Sequence, residues 1–180
     1  MIKSNSSFDP AGLPAEYISK FEKECSPSAG VKSHFLYPGQ LYVSREAEQI
    51  STILGSCAAV CLWDRRKKIG GMNHYLLPDG PDDSPNPYRY GNHANAGLLK
   101  QLQLLGCEVK DLQGKIFGGA SAFAADPESS LGTQNVKLAE EFLQKYRIPV
   151  LLTDVSGKRG RRLTFHTDDG TTFLKVFDKV

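Results

Sequence analysis

ILGSCAAVCLWDRRKKIGGMNHYLLP, residues 53–78, holds two cysteines four apart and one histidine, Cys57, Cys61 and His74, whose types could do covalent or metal chemistry together. A zinc site needs about four ligands, and a C-x3-C spacing with no second Cys/His pair at ligand spacing does not supply them. A disulfide between the two cysteines is excluded on a strand, where residues four apart have Cα atoms about 13 Å apart. A nucleophile with its base fits better. A free thiol of pKa about 8.5 is only a few per cent ionised at neutral pH, and a nearby imidazole can take its proton. Glycines flank both residues, Gly55 before Cys57 and Gly70 and Gly71 before His74. They allow a substrate close to the backbone and let N–H groups turn toward an oxyanion, or they mark a bulge.

The element that must position these residues reads as a hairpin. On a strand, Cys57, Ala59, Cys61 and Trp63 share one face and Ala58, Val60 and Leu62 the other. Both faces are apolar, so the strand is expected to be buried on both sides. DRRKK then turns the chain and IGGMNHYLL returns. If the turn is centred on Arg65 and Arg66, Cys57 stands directly across from His74, with Cβ atoms about 4.5–5.5 Å apart. A one-residue slip would put them on opposite faces. Cys61 and Cys107 read as small buried hydrophobes. On these residues alone two readings stay open, a Cys57/His74 catalytic pair and a core hairpin with an inert thiol.

The rest of the chain offers a frame for such a pair. Apolar segments between turn signals at 41–44, 58–63, 74–77, 114–120, 149–155, 162–167 and 171–177 are strand candidates. Helical periodicity marks NHANAGLLKQLQLLG, with Gly106 as its C′ residue, and GTQNVKLAEEFLQKYRIP, with Thr133 as a cap and Pro149 beyond its end. The final hairpin turns at Asp168-Asp169-Gly170, and His166 on it reads as structural. Several strands with two helices argue for an α+β domain. Residues 1–35 read as an N-terminal extension with a short helix near Pro14–Glu24, and residues 36–180 as a single domain.

Composition narrows the functional classes. A net charge of +2 does not point to nucleic acid, and no apolar run approaches the ~20 residues of a membrane span. The start, MIKSNSSFDP, has no apolar h-region, and scattered cysteines suit a cytoplasmic protein with reduced thiols. The basic stretch GKRGRR, with Lys158, Arg159, Arg161 and Arg162, reads as a solvated turn or a partner-binding patch.

LGSCAAVCLWDRRKKIGGMNHYLLP closely resembles the signature of the CheD family, the chemoreceptor glutamine deamidases of chemotaxis. YRYGNHANAGLLKQLQLLGC, KIFGGA, LGTQNVKLAEEFLQKYRIPV and DVSGKRGRRLTFHTDDG follow in the family's order, so the resemblance runs from about residue 40 to 177. It implies a fold of packed mixed β-sheets with flanking helices, like that of toxin-deamidase cysteine hydrolases. It also implies hydrolysis of receptor glutamine side chains to glutamate and ammonia through a cysteine thioester, with methylesterase as a side activity and no cofactor or metal. The partners implied are the cytoplasmic helices of a chemoreceptor and a CheC phosphatase. The family's nucleophile falls on Cys57, its histidine on His74, and its third catalytic residue, commonly threonine, on Ser51, with Thr52 as the fallback. A non-catalytic adaptor that binds receptors or a phosphatase is the alternative.

Overall fold

The computed structural model describes residues 30–121 and 124–177, so the helix expected near residues 14–24 lies outside the described residues. Among the described residues nine strands are formed: β1 (Lys32–Phe35), β2 (Gln40–Ser44), β3 (Glu48–Leu54), β4 (Ala58–Asp64), β5 (Ile69–His74), β6 (Leu112–Gly118), β7 (Val150–Val155), β8 (Arg161–His166) and β9 (Thr172–Val176). Two α-helices accompany them, α1 (Gly91–Leu104) and α2 (Leu131–Lys145). The strands make a four-stranded sheet in the order β1-β3-β8-β9 and a five-stranded sheet in the order β2-β5-β4-β6-β7. Both are mixed, because β1 runs parallel to β3 and β6 parallel to β7. This is the expected α+β architecture of packed mixed sheets with helices.

The two apolar faces of β4 explain the layering. Ala59 and Cys61 join Ile50, Leu54, Met72 and Phe165 in a core between the sheets. Ala58, Val60 and Leu62 join Leu98, Leu102, Ala139 and Leu143 in a second core beneath the helices. A central sheet thus carries helices on one face and a second sheet on the other, and a strand that is apolar on both sides is the one such a sheet requires.

The hairpin turns one residue later than the sequence suggested. Asp64 is buried and its Oδ1 accepts from the N–H groups of Arg66 and Lys67, at 2.9 and 3.0 Å, which places the bend between Arg66 and Lys67. The ladder pairs Cys61 with Met72 and Asp64 with Ile69, and an isolated bridge joins Ala58 to Tyr75. In this register Leu76 would oppose Cys57, so His74 is its diagonal neighbour. The displacement is two residues, so both side chains stay on the same face. Between these pairings the ladder opens, and Val60 N–H donates to the Asn73 side chain at 2.8 Å instead.

Other boundaries also moved. Lys32–Phe35, expected in the extension, is an edge strand, and Glu48–Leu54 is a strand the sequence reading did not mark. The strand expected at 74–77 ends at its first residue, because the N–H groups of Leu76 and Leu77 leave the sheet for the Arg89 carbonyl, at 2.9 and 3.1 Å. Gly106 sits past the end of α1 with φ 86°, as a C′ residue does. The cap of α2 is Ser130, not Thr133; its side chain accepts from Thr133 N–H at 3.2 Å, so the helix begins two residues before Thr133.

At the end of β6, Gly118 has φ 108°, and a Cβ there would fall 2.2 Å from the Cys57 carbonyl oxygen. Gly157 also has a positive φ, 77°, but nothing lies within 4 Å of its Cβ position. Gly157→Ala is therefore expected to cost about 1 kcal/mol and Gly118→Ala at least twice that in urea denaturation, because only the second adds a clash to the backbone strain. Equal losses would mean that the close approach of β6 to Cys57 is unimportant.

Candidate active site

β3 and β5 belong to different sheets and meet face to face at Thr52 and His74. Alternation along β3 turns Ile50, Thr52 and Leu54 into the space between the sheets, and along β5 it turns Met72 and His74 into the same space. Thr52 Oγ1 lies 2.7 Å from the Leu36 carbonyl and 2.7 Å from His74 Nδ1. The hydroxyl has one proton, and the carbonyl can only accept. Once that proton goes to Leu36, Thr52 must accept from His74, so the imidazole carries its proton on Nδ1. The Leu36 carbonyl, 3.4 Å from Nδ1, favours the same tautomer. Nε2 is left with its lone pair, buried and with no hydrogen-bond partner among the described residues. Burial pushes the His74 pKa down to about 4, against the weaker upward pull of the Leu36 carbonyl.

Ser51, expected to orient the histidine, does not meet it. It is buried, but it points from the opposite face of β3, so the hydroxyl against His74 is that of Thr52. Counting back from the cysteine landed one residue off, and on a strand one residue exchanges faces.

Cys57 is half-buried in a short loop between β3 and β4 and packs against the edge of the core between the sheets. Burial raises its pKa to about 11, partly opposed by backbone hydrogen bonds at Cys57 and Gly55. Near neutral pH the resting pair is therefore a thiol and a neutral imidazole, not an ion pair. Cys61 is buried within the same core, and its thiol is pushed up further, by desolvation. Cys107 packs beneath the helices.

The sequence reading missed two asparagines. Asn73 receives Val60 N–H on Oδ1 and donates through Nδ2 to Asn95 of α1 at 2.7 Å, fixing the strand that carries His74 to a helix. Asn135 is fully buried on the inner face of α2, next to Val136 and Ala139. In each case the signal was a polar residue at a position that the local pattern reserves for an apolar one. The basic stretch divides. Arg161 is buried and bonded to the Asp154 side chain, so it straps the end of β7 to β8. Lys158 lines a groove of about 360 Å³ that also touches Gly55, Ser56 and the start of α2. A larger groove, about 590 Å³, opens on the other flank between β1 and β2.

A thiol on the same face as an imidazole whose tautomer is set by a hydroxyl makes a constellation suited to acyl transfer. The model of the family described as CheD chemotactic sensory transduction matches residues 76–176. A protein of Rhodospirillum rubrum named "Probable chemoreceptor glutamine deamidase CheD" is 43% identical over 144 residues, covering 79% of this chain and 81% of that one. Proteins of the same name from Trichlorobacter lovleyi and Sulfurimonas denitrificans are 38% and 37% identical, covering 85% and 81% of this chain and 94% of each relative. The chain belongs to the CheD family. Among solved structures, Neisseria meningitidis protein NMB0706, of the DUF152 family, superposes with a TM-score of 0.50 at 10% identity, covering 84% of this chain and 75% of that one. That likeness concerns the fold alone.

Two outcomes test the site's geometry. Thr52→Val should let His74 redistribute between tautomers, seen in its ring 15N shifts, while Ser51→Ala leaves them unchanged; the reverse pattern would return the orienting role to Ser51. His74 has an ordinary pKa of 6.5 and a folded one of about 4, so the folded state is the poorer proton acceptor. Its contribution is intact above pH 6.5 and is lost as pH falls toward 4, about 3 kcal/mol in all at ~1.4 kcal/mol per pH unit. His74→Gln should remove that part of the acid destabilisation, measured by denaturation across this window.

Proposed function

We propose that this protein hydrolyses the side-chain amide of particular chemoreceptor glutamines, giving glutamate and ammonia, with Cys57 as nucleophile, His74 as base and then acid, and Thr52 as the residue that orients His74. The observation that carries this reading is the bond that His74 Nδ1 donates to the Thr52 hydroxyl, which leaves Nε2 unprotonated and, among the described residues, unengaged. Family membership and the names of the relatives point to the same substrate.

The pKa values argue for proton transfer during attack, since a resting thiolate is disfavoured at Cys57. His74 Nε2 takes the thiol proton as sulfur attacks the amide carbon. The tetrahedral intermediate collapses as the imidazolium gives that proton to the departing ammonia, leaving a thioester. Water, deprotonated by His74, then cleaves the thioester, releases glutamate and restores the thiol. Each step uses only the chain's own groups and water. A glutamate methyl ester presents the same acyl carbon with a better leaving group, so methylesterase activity follows from the same site.

The substrate side chain sits on a receptor helix in the cytoplasm, and Lys158 beside the loop of Cys57 is placed to meet acidic residues on it. We assign the same surface to a CheC-type phosphatase. No helix among the described residues is long and apolar enough to cross a membrane. The two packed sheets also suit a relationship to toxin-deamidase cysteine hydrolases.

Incubation with receptor cytoplasmic fragments should convert specific glutamines to glutamates, read as a mass gain of one unit per site with release of ammonium. Cys57→Ala should abolish this, and His74→Ala should slow it by about 10²–10⁴, the usual worth of a positioned acid-base group. Conversion by Cys57→Ala at the wild-type rate would remove the cysteine mechanism, and no conversion of any receptor by wild type would leave a binding adaptor.

A further inference from the structure

The loop that carries Cys57 is held by its carbonyls. Ala120 N–H donates to the Gly55 carbonyl at 2.8 Å, Asn135 Nδ2 to that of Ser56 at 2.9 Å, and Gly119 N–H to that of Cys57 at 2.8 Å. All three donors belong to one wall, formed where the end of β6 packs on the first turns of α2; a Cβ on Gly119 would lie 2.8 Å from the Gly132 carbonyl oxygen. In a trans peptide the C=O and the following N–H point in opposite directions. A wall that takes the carbonyls of Gly55 and Ser56 therefore turns the N–H groups of Ser56 and Cys57 away from itself. Neither N–H is taken up by a neighbouring oxygen among the described residues. Backbone hydrogen bonds of Gly55 and of Cys57 itself favour the Cys57 thiolate, so the Cys57 N–H lies close to its own sulfur.

Of the three clamps, Asn135 alone is a side chain. It is fully buried, and Nδ2 divides its two protons between the Ser56 carbonyl and the Leu76 carbonyl, 2.9 Å from each. Its backbone carbonyl accepts the Tyr75 hydroxyl at 2.6 Å. One amide thus ties the peptide before Cys57 to the segment leaving His74.

We propose that Asn135 is a positioning residue: by fixing the Ser56–Cys57 peptide plane, it holds the N–H of Cys57 as an oxyanion donor to the substrate carbonyl, beside the N–H of Ser56, whose own peptide is set by the bond from Ala120 to the Gly55 carbonyl. This rests on the reading of Cys57 as nucleophile. Loss of a single oxyanion donor typically costs about 10²–10³ in rate, and a tilted peptide should approach that loss.

The test compares two reactions of the same sulfur. With p-nitrophenyl acetate, the Cys57 sulfur bonds to the ester carbon, a C–O bond breaks to release nitrophenolate, and the thiol proton passes to solvent through His74; the carbonyl oxygen carries negative charge on the way. With iodoacetamide, sulfur displaces iodide from a methylene carbon and no oxyanion forms. In Asn135→Ala, and in Asn135→Asp, which keeps the shape but replaces donors by acceptors, acetylation of Cys57 should fall about 10- to 100-fold. The alkylation plateau at high pH should stay within about twofold of wild type. A parallel fall of both reactions, or unchanged acetylation, would overturn the proposal. A measurement on the wild type keeps it decidable should neither variant fold: a peptide aldehyde forming a thiohemiacetal at Cys57 should move the Ser56 and Cys57 amide protons downfield, and shifts confined to other amides would refute the assignment. Absence of receptor deamidation, with acetylation of Cys57 intact, would reject the proposed substrate and leave the oxyanion assignment to be decided by these data.

Discussion

One hydroxyl joins the two sheets at the candidate site. Thr52 projects from the four-stranded sheet, His74 from the five-stranded sheet, and the Leu36 carbonyl completes the contact. A buried imidazole with an unsatisfied Nδ1–H would be costly, so this contact constrains how closely and in what register the sheets can pack. The apolar residues around it, Ile50, Leu54, Met72 and Phe165, supply the burial that drives the sheets together. The polar contact then selects one arrangement among those that burial alone would allow.

The same contact sets the electrostatic character of the site. Depth in the seam keeps the imidazole neutral, and desolvation keeps the thiol protonated. In the mechanism proposed above, charge on this pair therefore develops only during attack. Around Cys57 the glycine strand end and α2 engage the loop carbonyls, and the N–H groups of Ser56 and Cys57 meet no neighbouring oxygen among the described residues.

Much of this was legible in the residues. The two apolar faces of β4 pointed to a strand buried on both sides, and they became the boundary between the two cores. Counting across the hairpin put Cys57 directly opposite His74; the register sets Leu76 there instead, and only the shared face remains because the shift is even. The hydroxyl did not survive an error of one. β3 escaped because its inward face mixes Glu48 and Thr52 with Ile50 and Leu54, which erases the alternation that marks a strand. β1 escaped because KSHF is mostly polar, as an edge strand can be. Asn73 and Asn135 bond to carbonyls, amides and side chains distant in sequence, and no local pattern encodes such partners.

The raised pKa of Cys57 also bears on the protein's life in an oxidising milieu. Peroxides attack thiolates, and the oxidation ladder that begins with sulfenic acid is entered in proportion to thiolate character and exposure. A half-buried thiol whose pKa is held near 11 presents little of either. A Cys57 thiol kept protonated in this way enters that ladder more slowly than a permanently ionised cysteine would.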